Sequence, residues 1–337
     1  MKPTDFSKYL SGFLIKYLPG ERGVSSHTIA AYKYSFLLLV TFIQENKKVK
    51  IDKLTIGHIT KELIVEFLEW LQKERKNADS TRNARLAAIH AFYRYLQYAA
   101  VENLHECQRI LSITNKKSGA KAMIYLTVEG IKLILKQPDT TTLQGRRDLS
   151  LLSLIYDTGA RVQETADLTA SSVRFDKPCV IRIRGKGNKV RIVPMLDAQV
   201  AFLNRYMVEH KLTEAYANEY PLFCNNQNEK LTRGGITYIL LKYTEMARRK
   251  SPSLIPEGIS CHSLRHSKAM HLLQANVPLI YIRDFLGHKS VVTTEIYARA
   301  DSKMKRDAIE KAYADVTPAE APMWANNSNL LEWLKSL

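Results

Sequence analysis

Six residues in the second half of the chain have side chains suited to moving a phosphoryl group onto an enzyme hydroxyl. They are Arg161, Lys186, His262, Arg265, His288 and Tyr297. Such a transfer needs a nucleophile, groups that stabilise negative charge on the pentavalent phosphate, and a proton for the leaving oxygen. A tyrosine, two arginines, a lysine and two histidines are residue types that meet these needs. The chain therefore contains, in order, the parts for this class of chemistry.

Two of these residues lie in glycine-containing turns. Arg161 follows a Gly-Ala pair that ends an apolar helix, and Glu164, one helical turn later, is placed to hold its guanidinium. An Arg/Glu pair at this spacing is also a common surface ion pair. Lys186 lies in the Gly-Lys-Gly-Asn-Lys run that ends at Lys189, the tip of a predicted β-hairpin. Such a tip can approach a duplex closely, but it is also common in solvent-exposed hairpins.

The other four residues lie at helix starts and ends. His262 and Arg265, three residues apart, share one face of a predicted helix, and the neighbouring histidines do not give the spacing of a zinc site. His288 follows a Leu-Gly pair, where a histidine often serves only as a helix cap. Tyr297 ends the run Thr-Thr-Glu-Ile-Tyr, and an isolated tyrosine is more often a core aromatic than a nucleophile. The conjunction of the motifs favours the chemical interpretation over each of these alternatives.

The elements that position these residues predict a mainly α fold with a small β-sheet, in the α+β class. Residues 4–109 show polar caps ahead of apolar-periodic segments and no strand signal, which predicts a helical bundle. Residues 179–184 and 189–194 alternate apolar and basic side chains with period two and predict the two strands of the hairpin.

Composition and boundaries suggest a division into domains. We predict a helical domain over residues 1–111, a basic linker over residues 112–122, a second domain over residues 123–316 and a tail over residues 317–337. The tail ends in a short apolar segment, Leu330–Leu337, which needs a partner surface.

Charge indicates a polyanionic partner. The chain of 337 residues has 50 Lys+Arg against 33 Asp+Glu, a formal charge of +17, and nucleic acid is the polyanion that fits best. Candidate DNA contacts lie at the start of one helix, in the linker and in the hairpin: Thr81, Arg82, Asn83, Arg85, Lys116, Lys117, Lys121 and Lys189. A solvated turn or tether would have the same composition.

Other classes of protein are disfavoured. The first 20 residues mix charges into the apolar positions and do not resemble a secretory signal, and no apolar run approaches the roughly 20 residues that a bilayer requires. Four widely spaced cysteines form no CxxC pair, which argues against a disulfide framework and a zinc ribbon. We expect a cytoplasmic protein with no membrane contact, no metal and no cofactor.

The ordered motifs resemble the active-site series of the tyrosine recombinase/integrase family. The resemblance covers the second half of the chain strongly and the first half more loosely, through Thr28–Tyr32 and Arg85–Tyr93. It implies an N-terminal core-binding domain followed by a catalytic domain. Arg299 departs from the pattern, since many members carry His there, but that position is not a catalytic one in the family.

The resemblance also implies roles for the site residues. Tyr297 attacks a DNA phosphodiester to give a 3′-phosphotyrosyl link, while Arg161 and Arg265 grip the nonbridging oxygens. Lys186 is the general acid that protonates the 5′-oxygen. The covalent link conserves the energy of the broken bond, so religation requires neither ATP nor metal.

The remaining implications concern proton transfer and assembly. His262 and His288 move protons or hydrogen-bond the phosphate, and Glu164 supports the site. The partners are double-stranded DNA and further copies of the chain, as a dimer on each site and a tetramer in synapsis, joined through the C-terminal tail. Two alternatives remain: a type IB topoisomerase, which shares the cleavage chemistry, and a catalytically silent DNA-binding regulator.

Overall fold

The chain folds into two compact units, Met1–Lys121 and Ala122–Leu337. The computed structural model describes residues 3–117, 119, 123–185, 187–300 and 334–335, without the side chains of residues 299 and 300. The domain boundaries predicted above stay predictions, and each unit is described by itself.

The first unit is built of helices throughout its described residues, as predicted. Its α-helices are α1 (Asp5–Ser11), α2 (Ser26–Lys47), α3 (Lys61–Lys73), α4 (Asp79–Ala99) and α5 (Leu104–Leu111). The side chains of Thr4 and Thr60 accept hydrogen bonds from backbone amides in the first turns of α1 and α3, which explains where these helices begin. A π-helical segment, Gly12–Glu21, follows α1 and contains Pro19.

Aromatic rings fill the core of this unit. Phe92 of α4 lies 5.4 Å from the ring of Phe13 and 5.2 Å from that of Phe36, with both pairs in edge-to-face geometry. The helix α4 therefore packs against both the π-helical segment and α2.

The second unit adds a small sheet to a larger set of helices. Its α-helices are α6 (Val128–Leu135), α7 (Leu143–Thr158), α8 (Val162–Ala166), α9 (Asp197–Glu209), α10 (Arg233–Lys250), α11 (Cys261–Gln274), α12 (Leu279–Leu286) and α13 (Val292–Ala300). Its strands are β1 (Val173–Arg174), β2 (Val180–Arg184) and β3 (Val190–Pro194). The predicted fold class is confirmed.

The sheet is antiparallel, in the order β1-β2-β3. In the pairing of β2 with β3, Ile181 lies opposite Val193 and both side chains are fully buried. Arg182 and Arg184 alternate with the buried residues and point away from the core. The predicted hairpin is thus confirmed, and its tip closes with the amide of Gly185 donating to the carbonyl of Lys189 at 2.7 Å.

Two glycines end the helices that lead into the site. Gly159 follows α7 and Gly287 follows α12, with φ of 57° and 65°, left-handed conformations that glycine adopts without strain. A Cβ on Gly159 would lie 2.7 Å from Cδ2 of Leu286, so the two helix ends approach each other closely. The glycine-terminated helices predicted from the sequence are confirmed.

Among the helices that the structure describes, none is long and apolar enough to cross a membrane.

Candidate active site

Arg265 is the buried cation at the centre of the site. Its side chain, on the first turns of α11, donates to the carbonyl of Gly159 and to that of Leu286, each at 2.5 Å. Both carbonyls belong to helix C-terminal ends, which carry partial negative charge and favour a cation. Burial and the neighbouring Arg161 and Arg191 lower the pKa of the Arg265 guanidinium, while the charges of Glu164 and Tyr297 act in the opposite direction.

Glu164 joins two further arginines. Its carboxylate accepts from Nη1 of Arg161 at 2.7 Å and from the Arg161 amide at 2.9 Å, and from Nη2 of Arg191 at 2.8 Å. The Glu164 side chain is 5% exposed, that of Arg191 11% and that of Arg161 34%. Burial raises the pKa of Glu164, but the hydrogen bonds and charges of the two arginines outweigh it, and the net shift is downward. The carboxylate therefore stays charged and fixes Arg161 at the edge of the site.

Tyr297 lies on α13 with its side chain 1% exposed. Its hydroxyl lies 3.1 Å from Nδ1 of His266, on the facing helix α11. Burial raises the pKa of Tyr297, while the positive charges of Arg265 and Arg161 act in the opposite direction. The phenol is thus protonated at neutral pH, in a field that stabilises its ionised form.

His288 lies beside this tyrosine and His262 beside His266, and both histidines are neutral at pH 7. Burial is the main cause that lowers the pKa of His262, and burial together with Arg265 and Arg161 lowers the pKa of His288 to about 4. Nδ1 of His288 lies 2.9 Å from Oγ1 of Thr294, and its ring stacks on that of Tyr297 with centroids 6.3 Å apart. A negatively charged ligand would raise both pKa values, because it would offset the arginines.

A cleft of about 460 Å³ opens beside these residues. Its basic side chains are Arg161, Lys189, Arg191 and Lys289, and His288 also lines it. Such a concentration of cations favours a phosphate ligand. The structure therefore brings Arg161, Glu164, His262, Arg265, His288 and Tyr297 together. Lys186 lies outside the described residues, and within those residues no group of His, Cys, Asp or Glu has the arrangement to hold a metal ion.

Several of the predicted DNA contacts have partners inside the first unit. Arg82 is buried and donates to the carbonyl of Thr114 at 3.1 Å. The side-chain amide of Asn83 exchanges two hydrogen bonds with the backbone of Lys116, at 2.8 and 3.0 Å. These contacts fix the chain after α5 against the start of α4.

The other members of that set vary in their surroundings. Arg85 lies 4.9 Å from the ring of Tyr34 and donates to the hydroxyl of Ser35 at 3.2 Å. Lys117 and Lys189 are exposed, Thr81 is half-buried, and Lys121 lies outside the described residues. Contact of this set with DNA stays a prediction.

Sequence reasoning missed two residues of the site, Arg191 and His266. A weak indication for Arg191 was present in the sequence. It lies two residues after Lys189 in the second predicted strand, and an arginine on the buried face of an alternating strand requires a partner. His266 follows His262 by four residues and therefore lies on the same face of α11. The contact of His266 with Tyr297 joins residues 31 positions apart, which spacing within one helix does not predict.

Comparison with known proteins identifies the family. The model for the Phage integrase family matches residues 125–304, and the model for the Phage integrase, N-terminal SAM-like domain matches residues 12–99. The chain is 33% identical over 338 residues to the integrase/recombinase y4rC of Sinorhizobium fredii. The matched region covers 100% of this chain and 99% of that protein. It is 29% identical to tyrosine recombinase XerD of Staphylococcus epidermidis, covering 90% of this chain and 97% of that one.

Solved structures share the fold. The XerH site-specific recombinase bound to difH substrate matches with a TM-score of 0.64 and 22% identity, over 89% of this chain and 84% of that one. The Tn1549 transposon integrase in complex with transposon right end DNA matches with a TM-score of 0.68 and 16% identity, over 89% of this chain and 98% of that one.

The chain belongs to the phage integrase family, the tyrosine recombinases. It is a DNA cleaving and rejoining enzyme of site-specific recombination, and the topoisomerase and silent-regulator alternatives are not favoured.

Proposed function

We propose that the chain cuts double-stranded DNA by attack of Tyr297 on a phosphodiester, holds the 3′ end as a phosphotyrosine and rejoins it to a new 5′ end. The observation that carries this proposal is the meeting of Tyr297 with Arg161 and Arg265, whose charges both act on the phenol. Two guanidinium groups supply the donors that a pentavalent phosphate requires, in a largely buried setting where each hydrogen bond is worth more than in water.

The DNA phosphate enters from the basic cleft beside Arg161 and Arg191. Since Arg161 is the more exposed of the two arginines on Glu164, it meets the phosphate first, and Arg265 supports the same phosphate from the buried side. Tyr297 is 1% exposed and does not line this cleft, so DNA binding has to bring the phosphate and the phenol together.

The nucleophile assignment is tested with a nicked suicide substrate and a denaturing gel. Wild-type protein is expected to form a covalent complex that migrates above free protein, and Tyr297→Phe is expected to bind DNA but form none. Tyr206→Phe is a matched control, because Tyr206 is equally buried but lies in the main core cluster and donates to the carbonyl of Leu222. A covalent complex with Tyr297→Phe would contradict the assignment.

We assign Lys186 as the acid for the 5′-oxygen, because it directly follows Gly185 in the sequence, and a Cβ on Gly185 would lie 3.1 Å from Oε1 of Glu164. Sulfur at the 5′ bridging position is a much better leaving group and needs no acid. Lys186→Ala is therefore expected to be inactive on ordinary DNA and active on 5′-thio DNA, while Arg161→Ala stays impaired on both. The control is Lys189→Ala. If Lys189→Ala is the variant that the thio substrate rescues, the assignment is wrong.

The assembly proposed for this activity is a dimer on each DNA site and a tetramer in synapsis, joined by the tail. The predicted tail lies mostly outside the described residues. Leu334 and Lys335 are the tail residues that the structure describes. Deleting Leu330–Leu337 is expected to leave single-site cleavage intact and to weaken strand exchange between two sites. Unchanged exchange would contradict the role of the tail. The biological setting proposed is integration or excision of a mobile element, or resolution of DNA, in the cytoplasm.

A further inference from the structure

We propose that His266 is a catalytic residue, the group that accepts the proton of the Tyr297 hydroxyl as the tyrosine attacks DNA. The inference rests on the proposed role of Tyr297 as nucleophile. It adds a base for the attacking oxygen to a set of residues that otherwise provides charge stabilisation and an acid for the leaving oxygen.

The geometry separates His266 from the other two histidines. Nδ1 of His266 is 3.1 Å from the Tyr297 hydroxyl, within reach for direct proton transfer. His288 meets Tyr297 through its ring face, and its Nδ1 pairs with Thr294. His262 meets the ring of His266 at a right angle, with centroids 5.2 Å apart. His266 is thus the histidine placed on the reacting atom.

The charges around His266 fit this role. Burial, His262 and Arg265 lower the pKa of His266 to about 4, so the imidazole is neutral at pH 7. In the tautomer with its proton on Nε2, Nδ1 has a lone pair for the hydroxyl. The groups facing it are His262 and Arg265 on its own helix, Tyr297 on α13 and His288 in the turn before α13.

Substrate binding increases the basicity of His266 when it is needed. A phosphodiester on Arg161 and Arg265 adds a negative charge and offsets the cation that holds the pKa of His266 down. Burial raises the pKa of the Tyr297 phenol, so the phenol keeps its proton at neutral pH. Because free hydroxide is scarce at that pH, a nearby group has to accept the proton. DNA binding therefore makes His266 a better acceptor for the proton.

The step balances without a further reactant. Oη of Tyr297 forms its bond to phosphorus as its proton passes to Nδ1 of His266. The bond from phosphorus to the 5′-oxygen breaks, and that oxygen takes a proton from the acid assigned above. In religation the 5′-hydroxyl attacks phosphorus as its proton returns to that acid, the bond from phosphorus to Oη breaks, and His266 returns its proton to the tyrosine.

The test compares rates of covalent-complex formation on 5′-thio suicide DNA, where the acid no longer contributes. The variants are His266→Ala, His266→Asn, Tyr297→Phe and the control His271→Asn. His271 lies on the same helix and pairs in the same way with a tyrosine, Nδ1 to the Tyr156 hydroxyl at 2.8 Å, outside the group of residues around Tyr297. DNA binding and unfolding by urea establish that each variant is folded.

The expected result is a loss of about 10²-fold or more for His266→Ala near neutral pH, the usual contribution of a general base. Its rate should rise about tenfold for each pH unit as the phenol ionises into solvent, and added imidazole should restore part of it. Wild type and His271→Asn should show a shallower pH dependence than His266→Ala, because His266 accepts the proton without prior ionisation of the phenol.

Asparagine separates proton acceptance from positioning. Its side-chain oxygen keeps a hydrogen-bond acceptor near the Nδ1 position but has no useful basicity. His266→Asn as slow as His266→Ala supports the proposal. His266→Asn as fast as wild type, or the same pH slope in His271→Asn, overturns it. A wild-type protein without covalent complex, or a complex with Tyr297→Phe, instead marks failure of the proposed function.

Discussion

Replacing Glu164 with alanine should destabilise the second unit far more than the loss of an ordinary surface ion pair would. The carboxylate is 5% exposed and neutralises two arginines, Arg161 and Arg191. Arg191 is 11% exposed, and its Nε has no hydrogen-bond partner among the described residues. Without Glu164, a mostly buried guanidinium has lost its counter-charge while the cations of Arg161 and Arg265 remain close.

The magnitude follows from this burial. Removing one partner of a buried ion pair costs about 3–5 kcal/mol, because the remaining charge is left uncompensated. For a unit of this size, each kcal/mol lowers the melting temperature by roughly 2–4 °C, so a fall of roughly 6–20 °C is expected. Covalent-complex formation should fall as well, because Arg161 loses the carboxylate that fixes it.

Glu209 provides the matched control. It also binds two arginines, Arg146 at 2.8 Å and Arg205 at 3.1 Å, but it is 22% exposed and Arg205 is 62% exposed. Glu209→Ala should cost less than Glu164→Ala, because Glu209 and Arg205 are more accessible to solvent, although Arg146 is 15% exposed. The assay is thermal unfolding of the full chain, with hydrogen exchange of β2 and β3 amides assigning the transition to the second unit. Equal losses in the two variants would refute the burial argument.

Three further predictions concern pH, backbone and salt. The free energy of unfolding should fall as the pH drops from about 6.5 to about 4. The pKa values of His266 and His288 are lowered in the folded chain, so the unfolded chain binds more protons in this pH range. Urea midpoints that stay constant over this range would contradict the prediction. Gly159→Ala should lower the free energy of unfolding by about 2–5 kcal/mol, because the backbone is left-handed there and the new Cβ would lie 2.7 Å from Leu286. The control Gly23→Ala should lower it by about 1–2 kcal/mol, because Gly23 has φ of 55° but no neighbour within 4 Å of a Cβ. Equal losses in urea unfolding would show that the clash relaxes. DNA affinity should fall steeply with salt because the chain carries a formal charge of +17, and a flat plot of log K against log salt would exclude a phosphate-dominated interface.

Local patterns were enough to predict much of the fold. Apolar periodicity predicted the helices of both units, and alternation predicted the strands that became β2 and β3. The turns at Gly159 and Gly287 followed from glycine's freedom at positive φ. Strand β1 was missed because two residues, Val173–Arg174, are too few to show a period. The π-helical segment Gly12–Glu21 was missed because an apolar run does not distinguish a π-helix from an α-helix.

Contacts between distant elements were harder to predict. The pairing of Arg161 with Glu164 is local in sequence, and spacing alone indicated it. The sharing of Glu164 with Arg191 and the contact of His266 with Tyr297 depend on how whole elements pack. Arg82 illustrates the reverse case, since a basic residue in a polar turn is compatible with DNA but here also holds the backbone at Thr114.

The two hydrogen bonds that fix the Arg265 side chain have a consequence for how this enzyme tolerates mutation. Both of its partners are main-chain oxygens, at Gly159 and Leu286, and no point substitution deletes a carbonyl. Insertions and deletions act differently: removing one residue from α12 would turn its last carbonyl by about 100° around the helix axis, since a turn takes about 3.6 residues. The backbone anchor of Arg265 should therefore survive extensive divergence of side chains, but not a change of one residue in the length of α7 or α12.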